Sequence, residues 1–257
     1  MFSIDSRGGH NRRKFKADFF EKWSPEMAYV LGFLYADGDI EDNRKSSRTQ
    51  YTTFFSNDKK ILEAIRFVLG SDHNLNYKAP HEHLYANGKI YESAEGYRLR
   101  IGSKKLFSDL VKMGLTPRKS LTIKFPADIP NDCLGHFLRG YFDGDGCVFL
   151  QKAKGVTKPI IIKKLSVIFT SGSHIFLEGL ANELKAKLAV THDKIYNSTR
   201  SFQLRYSTAD SIKIFELMYK NCFKGLYLKR KFDIFREYFQ MAPRKGNLEI
   251  VGLLGSL

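Results

Sequence analysis

Apolar positions recur along this chain with two different spacings, and segments of the two kinds alternate. Apolar residues three or four positions apart predict helices, and apolar residues at every second position predict strands. Helical spacing occurs at 25–38, 58–70 and 103–114, and again at 130–146, 173–188 and 208–220. Strand-like runs lie between these segments. Each half of the chain therefore reads helix, strand, strand, helix, strand, strand, helix.

Local signals at the ends of the first segment support this interpretation. Ser24 is a favourable N-cap, Pro25 suits the first helical turn, and Gly38 is typical of a helix stop. The same order of elements in both halves predicts an α+β fold of two αββαββα repeats, at 24–125 and 126–240. A basic segment, 1–23, precedes the repeats, and a tail, 241–257, follows them without an assignment.

The strand-like runs separate apolar from polar side chains. In "YRLRI", Arg98 and Arg100 point away from the apolar positions, and in "FQLRY" Gln203 and Arg205 do so. Such strands place one face of an antiparallel sheet against helices and leave a basic, hydrogen-bonding face for a partner. Arginine and glutamine suit bidentate contacts with guanine and adenine, although a solvated sheet face has the same pattern.

Charge narrows the class of partner. The 257 residues carry 42 Lys and Arg against 27 Asp and Glu, a formal net charge of +15. Such an excess favours a polyanion, with nucleic acid ahead of an anionic membrane, although some proteins are simply basic. No apolar run approaches the roughly 18 residues of a membrane span, and the N-terminus lacks the apolar core of a secretory signal. We expect an intracellular protein, in a bacterial or archaeal cytoplasm or in an organelle.

The first helix of each half carries two small residues four positions apart. These are Gly32 and Ala36 in one helix, and Gly140 and Gly144 in the other. A stripe without bulky side chains lets two helix backbones approach closely. We therefore predict that these four residues form a helix–helix interface.

Each of these helices ends in a carboxylate, Asp37 or Asp145. An acid at a helix C-terminus is unfavourable against the helix dipole, and two neighbouring carboxylates repel each other. A hard divalent cation relieves both costs, and the last-turn carbonyls of Ala36 and Gly144 are further oxygen ligands. The pattern predicts a metal site able to activate water beside a phosphodiester.

The Asp-Gly pairs have two other interpretations. An EF-hand loop that starts at Asp143 would need a bidentate Glu where Lys154 stands, which excludes it. A plain turn accounts for either Asp-Gly pair alone. It does not account for the same small-residue spacing before both.

The two segments "VLGFLYADG" at 30–38 and "LRGYFDGDG" at 138–146 resemble the motif of the LAGLIDADG homing endonucleases of the single-chain type. The resemblance spans roughly residues 24 to 240. It implies a monomer with internal pseudo-twofold symmetry, whose saddle-shaped sheets lie in the major groove of a long double-stranded DNA target. It also implies Mg²⁺-dependent cleavage of both strands, with Mn²⁺ or Ca²⁺ able to occupy the same site, and a gene carried within an intron.

Site residues follow from the resemblance position by position. Asp37 and Asp145 match the metal ligands, and Lys119 and Lys231 match basic residues near the scissile phosphates. Ser56 and Ser171 end the second strand of each half, where the family often has a polar residue that positions water. Tyr35 replaces the first acid of the motif, whereas Asp143 keeps it.

The DNA-contacting residues are expected on the polar strand faces. They are Asn43, Lys45, Tyr51, Thr53, Arg98, Arg100, Gln151, Lys164, Ser166, Gln203 and Arg205. The alternative function is an intron RNA maturase or a non-cleaving DNA-binding protein on the same scaffold. The presence of both motif acids favours the nuclease.

Overall fold

The structure is a computed structural model that describes residues 13–47, 49–84, 88–154, 160–223, 225–242 and 248–257. Residues 1–12 of the predicted basic segment and 243–247 of the predicted tail lie outside these ranges. Within the described ranges, no helix is both long and apolar enough to cross a membrane.

The chain forms two compact units. Helix α1 (Pro25–Asp37) contributes all but its last residue to the second unit, and Asp37 begins the main segment of the first. The first unit then contains β1 (Gly38–Asn43), α2 (Arg44–Ser47), β2 (Thr49–Ser56), α3 (Lys59–Val68), β3 (Leu75–Lys78), β4 (Glu82–Leu84), β5 (Ile90–Glu92), β6 (Gly96–Gly102) and α4 (Lys104–Lys112). Its four-stranded antiparallel sheet has the order β1-β2-β6-β3, and β4 pairs with β5 in a separate hairpin.

The second unit combines residues 23–36 with the chain from Arg118 onward. It contains α5 (Leu134–Asp145), β7 (Gly146–Ala153), β8 (Ile161–Ser171), α6 (His174–Leu188), β9 (Ile195–Ser198), β10 (Ser201–Tyr206), α7 (Thr208–Tyr219), α8 (Lys229–Met241) and α9 (Leu248–Ser256). Its antiparallel sheet has the order β7-β8-β10-β9, which repeats the strand order of the first sheet.

The predicted α+β order of two αββαββα repeats is therefore confirmed. Helix starts follow local capping, because Asp58, Ser103 and Ser173 each accept a backbone N–H from the first turn of the following helix. Strand alternation also follows the sequence, since Leu99 and Leu204 are buried between half-buried or exposed polar neighbours.

Several details differ from the sequence prediction. Helix α5 begins at Leu134 rather than at residue 130, because the backbone after Pro130 first makes a turn that its carbonyl closes. Lys45, predicted at the end of a strand, lies in the short helix α2. The β4–β5 hairpin and helices α8 and α9 were not predicted.

The compact units do not follow the predicted repeat boundaries. The repeats describe the order of elements along the chain, whereas the units describe which segments pack together. The main difference is α1, which belongs to the first repeat by order and mostly to the second unit by packing.

Candidate functional site

Helices α1 and α5 cross with their backbones almost in contact at two glycines. A methyl group on Gly32 would lie 2.0 Å from the carbonyl oxygen of Phe137, and one on Gly140 would lie 2.0 Å from that of Tyr29. Only glycine leaves room for this approach. Ala36 and Gly144, also predicted in the interface, lie one turn beyond the contact and are half-buried.

Each of the two helices ends on its motif acid. Asp37 and Asp145 are exposed, and the next residue in each case, Gly38 or Gly146, begins a strand. A reversal from helix to strand at this point leaves the side chain of the acid at the helix end. The described residues contain no group of three or more His, Cys, Asp and Glu side chains arranged to hold a metal ion.

The donor chemistry of these helix ends fits a hard divalent cation rather than a zinc-type ion. Carboxylate and backbone carbonyl oxygens are the ligands of such cations. Mg²⁺ in particular is commonly held by one or two carboxylates and completed by water and substrate phosphates. Asp37 with the carbonyl of Ala36, and Asp145 with that of Gly144, supply oxygens of this kind.

Two buried lysines lie at the C-terminal ends of the same helices. The Nζ of Lys119 donates to the carbonyl of Ala36 at 3.0 Å. The Nζ of Lys231 donates to the carbonyls of Phe142, Asp143 and Gly146, the last at 2.6 Å. Terminal carbonyls of a helix lack intrahelical partners and carry the negative end of its dipole, so an ammonium group there is stabilising.

The resemblance predicts both lysines beside the scissile phosphates, and the alternatives are a lysine that clamps phosphate without a catalytic role and a lysine that is merely solvated. The exposed fractions are 5% for Lys119 and 4% for Lys231, which excludes the solvated alternative. Their hydrogen bonds reach the backbone that presents the motif acids. A direct contact with phosphate stays a prediction, whereas the support of the helix ends is visible in the geometry.

Asp143, the motif acid that is not a predicted ligand, is buried within the second unit. Its Oδ2 accepts hydrogen bonds from the Tyr29 hydroxyl at 2.8 Å and from the Leu228 backbone N–H at 3.0 Å. Burial raises the pKa of Asp143 to about 6, against the opposing attraction of Lys231. This carboxylate therefore ties α1, α5 and the start of α8 together.

A buried arginine lies on the same helix. Arg139 donates to the carbonyls of Leu226, at 2.9 Å, and Met218, and to Nδ1 of His136 at 3.1 Å. Burial first, and the Arg139 guanidinium second, lower the pKa of His136 to about 4. Sequence reasoning missed this network, because a buried Arg beside a glycine stripe has no local signal.

The polar face of the first sheet carries the predicted contact residues of that unit. Arg98 is exposed, and Tyr51, Thr53 and Arg100 are half-buried. The register places Arg100 opposite Thr53. Asn43 is half-buried at the end of β1, and Lys45 is exposed on α2.

The corresponding face of the second sheet is less uniform. Gln151, Lys164 and Arg205 are exposed, and Gln203 is half-buried. Ser166 is only 7% exposed, so its hydroxyl has little access to a partner on this face. The guanidinium of Arg205 donates to Oε1 of Gln203 through two nitrogens, at 2.9 and 2.6 Å.

The two serines proposed to position water have a local structural role. Ser56 accepts the N–H of Asp58 at 3.0 Å, and Ser171 accepts that of Ser173 at 3.1 Å. Both serines are buried and both close the turn from a strand into the following helix. Water positioning by these residues stays a prediction.

Comparisons with known proteins agree with this arrangement. A family described as "LAGLIDADG-like domain" matches residues 132–218. A search of curated protein sequences found no significant match.

Solved structures share the fold at low sequence identity. Meganuclease I-SmaMI bound to uncleaveable DNA has a TM-score of 0.55 at 16% identity, over 91% of this chain and 98% of its own. The homing endonuclease I-WcaI bound to its DNA recognition sequence has a TM-score of 0.53 at 17% sequence identity, over 83% of this chain and 90% of its own. LAGLIDADG meganuclease I-AabMI bound to uncleaved DNA has a TM-score of 0.53 at 15% sequence identity, over 91% of this chain and 99% of its own.

Proposed function

We propose that this protein, which carries a LAGLIDADG-like domain and has the fold of LAGLIDADG homing endonucleases, is a site-specific endonuclease that cleaves both strands of double-stranded DNA. The observation that carries the proposal is the crossing of α1 and α5 at Gly32 and Gly140, with each helix ending on an exposed Asp. An acid at each of these ends opposes the dipole of its helix, a cost that a bound divalent cation would offset.

In this proposal Asp37 and Asp145 hold divalent cations, with Mg²⁺ as the physiological ion. Backbone oxygens of Ala36 and Gly144 are further candidate ligands. When bound, such a cation supplies an activated water and neutralises charge on the phosphate. The chain's own contribution is to fix the acids on two rigid helices.

Lys119 and Lys231 are positioning residues in the same proposal. Their ammonium groups neutralise the C-terminal dipoles of α1 and α5, which lowers the cost of placing an acid at each end. The basic sheet faces bind DNA, with phosphate contacts that set position and base contacts that set sequence. The described chain acts as a monomer.

Substitution of either acid tests the proposal. Asp37→Asn and Asp145→Asn should each lower double-strand cleavage about a thousandfold or more, because several kcal/mol of charge stabilisation are lost. DNA binding should persist, since neither side chain lies on a sheet face. The substrate is a duplex that spans the uninterrupted insertion site of the gene, with and without Mg²⁺.

The matched control is Asp193→Asn, which removes an exposed carboxylate that pairs with Lys185 at 2.8 Å. Its cleavage should equal that of the unmodified protein. Full double-strand cleavage by either of the first two variants would overturn the assignment of Asp37 and Asp145 as the metal-binding acids. Binding without cleavage by the unmodified protein in Mg²⁺ would favour the maturase or DNA-binding alternative.

A further inference from the structure

A carboxylate and a guanidinium form a close pair on the polar face of the first sheet. Nη2 of Arg100 on β6 donates to Oε2 of Glu41 on β1 at 2.6 Å. The same carboxylate oxygen accepts from Nδ2 of Asn43 at 2.8 Å. The Arg100 guanidinium also lies 3.9 Å from the centre of the Tyr51 ring, a cation–π contact. The Arg100 guanidinium therefore contacts the Glu41 carboxylate on one side and the Tyr51 ring on another.

Two polar atoms, one of Arg100 itself and one of a neighbouring residue, have no hydrogen-bond partner in the described protein. Among the described residues, Nε of Arg100 and Oγ1 of Thr53 are buried and have no hydrogen-bond partner. The two residues are direct neighbours across β2 and β6. Buried polar groups without a partner are uncommon, and here they lie on a face that the function requires to meet a ligand.

The pair is partly accessible from outside. The exposed fractions of the side chains are 29% for Arg100 and 35% for Glu41. A negative charge on this face opposes phosphate binding, so affinity for DNA does not account for Glu41. A carboxylate held at this position by Arg100 and Asn43 is suited to discrimination between base edges.

The second sheet lacks this arrangement at the equivalent positions. Glu41 is the fourth residue of β1, and the fourth residue of β7 is Phe149, which is 54% exposed. Arg205, at the place of Arg100 in its strand, is held by the neutral amide of Gln203. The ion pair is thus specific to one half of the molecule.

We propose that Glu41 and Arg100 act together as a specificity determinant that reads one G·C base pair in the half-site bound by the first unit. The inference rests on the proposed function and names which residues supply part of its selectivity. In the major groove, guanine presents two acceptors, N7 and O6, and cytosine presents the N4 amino donor beside them.

Arginine donors match the guanine edge, and a carboxylate accepts from cytosine N4. A guanidinium and a carboxylate in contact therefore match the two neighbouring edges of a single G·C pair. An A·T pair at this position would place the O4 acceptor of thymine toward the carboxylate, which is repulsive. Glu41 thus disfavours an A·T pair in this orientation, and its contact with Arg100 fixes the register in which the arginine reads guanine. In the reversed T·A pair, the arginine loses the guanine N7 acceptor.

The experiment selects bound duplexes from a library randomised over the target, with the full-length protein. Glu41→Gln keeps the size of the side chain and an oxygen acceptor for Arg100, but it removes the charge. We expect the unmodified protein to select G·C at one position of one half-site, and Glu41→Gln to weaken that preference about tenfold or more. Arg100→Lys, which loses the bidentate fork, should weaken the preference at the same position.

The matched control is Glu63→Gln on α3, which removes an ion-paired carboxylate from a half-buried helix position in the same unit. Its selected sequence should be unchanged. A preference unaltered in Glu41→Gln, or altered at positions different from those of Arg100→Lys, would overturn the inference. Thermal unfolding of each variant shows whether it is folded, and a folded Arg100→Lys with the original preference would also overturn it.

Failure of the proposed function gives a different result. A protein that does not recognise DNA selects no sequence at all, and the inference falls with the function. A protein that binds DNA without cleaving it still selects a sequence, so the nuclease proposal fails in the cleavage assay while the inference is still tested here. Selection of a defined sequence with unchanged preference in both variants overturns only the inference.

Discussion

His136 and Asp143 are two buried titratable residues of α5 whose pKa values have moved in opposite directions. The folded-state pKa of Asp143 is about 6, above its ordinary value, so stability falls as pH rises through the window between about 4 and 6. The folded-state pKa of His136 is about 4, below its ordinary value of 6.5, so stability rises with pH across nearly the same window. The two dependences oppose each other.

Removal of the histidine should leave the opposite pH dependence of Asp143 without its compensation. In His136→Asn, the free energy of unfolding relative to the unmodified protein should fall as pH rises from about 4.5 to 6.5, by at most about 1.4 kcal/mol per pH unit. Urea unfolding at several pH values in this range measures the difference. A difference between the two proteins that stays constant across the range would contradict the pKa assigned to His136.

At the residue scale, the sequence identified the side chains that a motif names and missed those that need a tertiary partner. Asp37 and Asp145 follow from a local pattern of small residues and acids. The contact of Glu41 with Arg100 joins positions far apart in sequence, and its signal is only visible once the register of three strands is known. The resemblance did name Lys231, but it did not predict that this lysine reaches the carbonyl of Phe142 from a later helix.

At the scale of elements, the close approach of α1 and α5 depends on Gly32 and Gly140, which have a hydrogen atom where other residues have a side chain. Gly140→Ala should lower the free energy of unfolding by about 3 kcal/mol or more, because its methyl group would meet a backbone oxygen that cannot rotate away. Gly252→Ala on α9 is the matched control, since nothing lies within 4 Å of its added methyl. The control should be neutral or stabilising by up to about 1 kcal/mol.

Urea unfolding of the two variants checks this prediction. Equal stability of Gly140→Ala and the unmodified protein would mean that the helices can separate without cost. That result would contradict the claim that the packing of α1 against α5 requires glycine at position 140.

Elements were predictable where their cause is local. Helix caps and strand alternation gave α3, α4 and β6 to within a few residues, because both depend on neighbours in sequence. The β4–β5 hairpin was missed because every described residue of its strands is exposed, which removes the alternation of apolar and polar positions. The start of α5 was placed too early because Pro130 is as compatible with a turn as with a first helical turn.

At the scale of the whole molecule, the net charge of +15 makes an electrostatic prediction. If the protein neutralises about 6–10 phosphates, its affinity for a DNA target should fall roughly 10³- to 10⁵-fold between about 50 and 200 mM salt. Fluorescence anisotropy with a labelled duplex across this range gives the slope. An affinity that does not change with salt would contradict the assignment of the basic sheet faces to DNA.

The placement of α1 has a consequence for the modularity of the chain. Residues 23–36 precede the first sheet in sequence and belong to the core of the second unit, where Gly32 seats against Phe137. A cut near residue 117 would thus produce a C-terminal fragment that has lost a piece of its own interior. Chimaeras that exchange the first unit between proteins of this fold should therefore transplant both of its segments, 13–22 and 37–117, and leave residues 23–36 with the recipient.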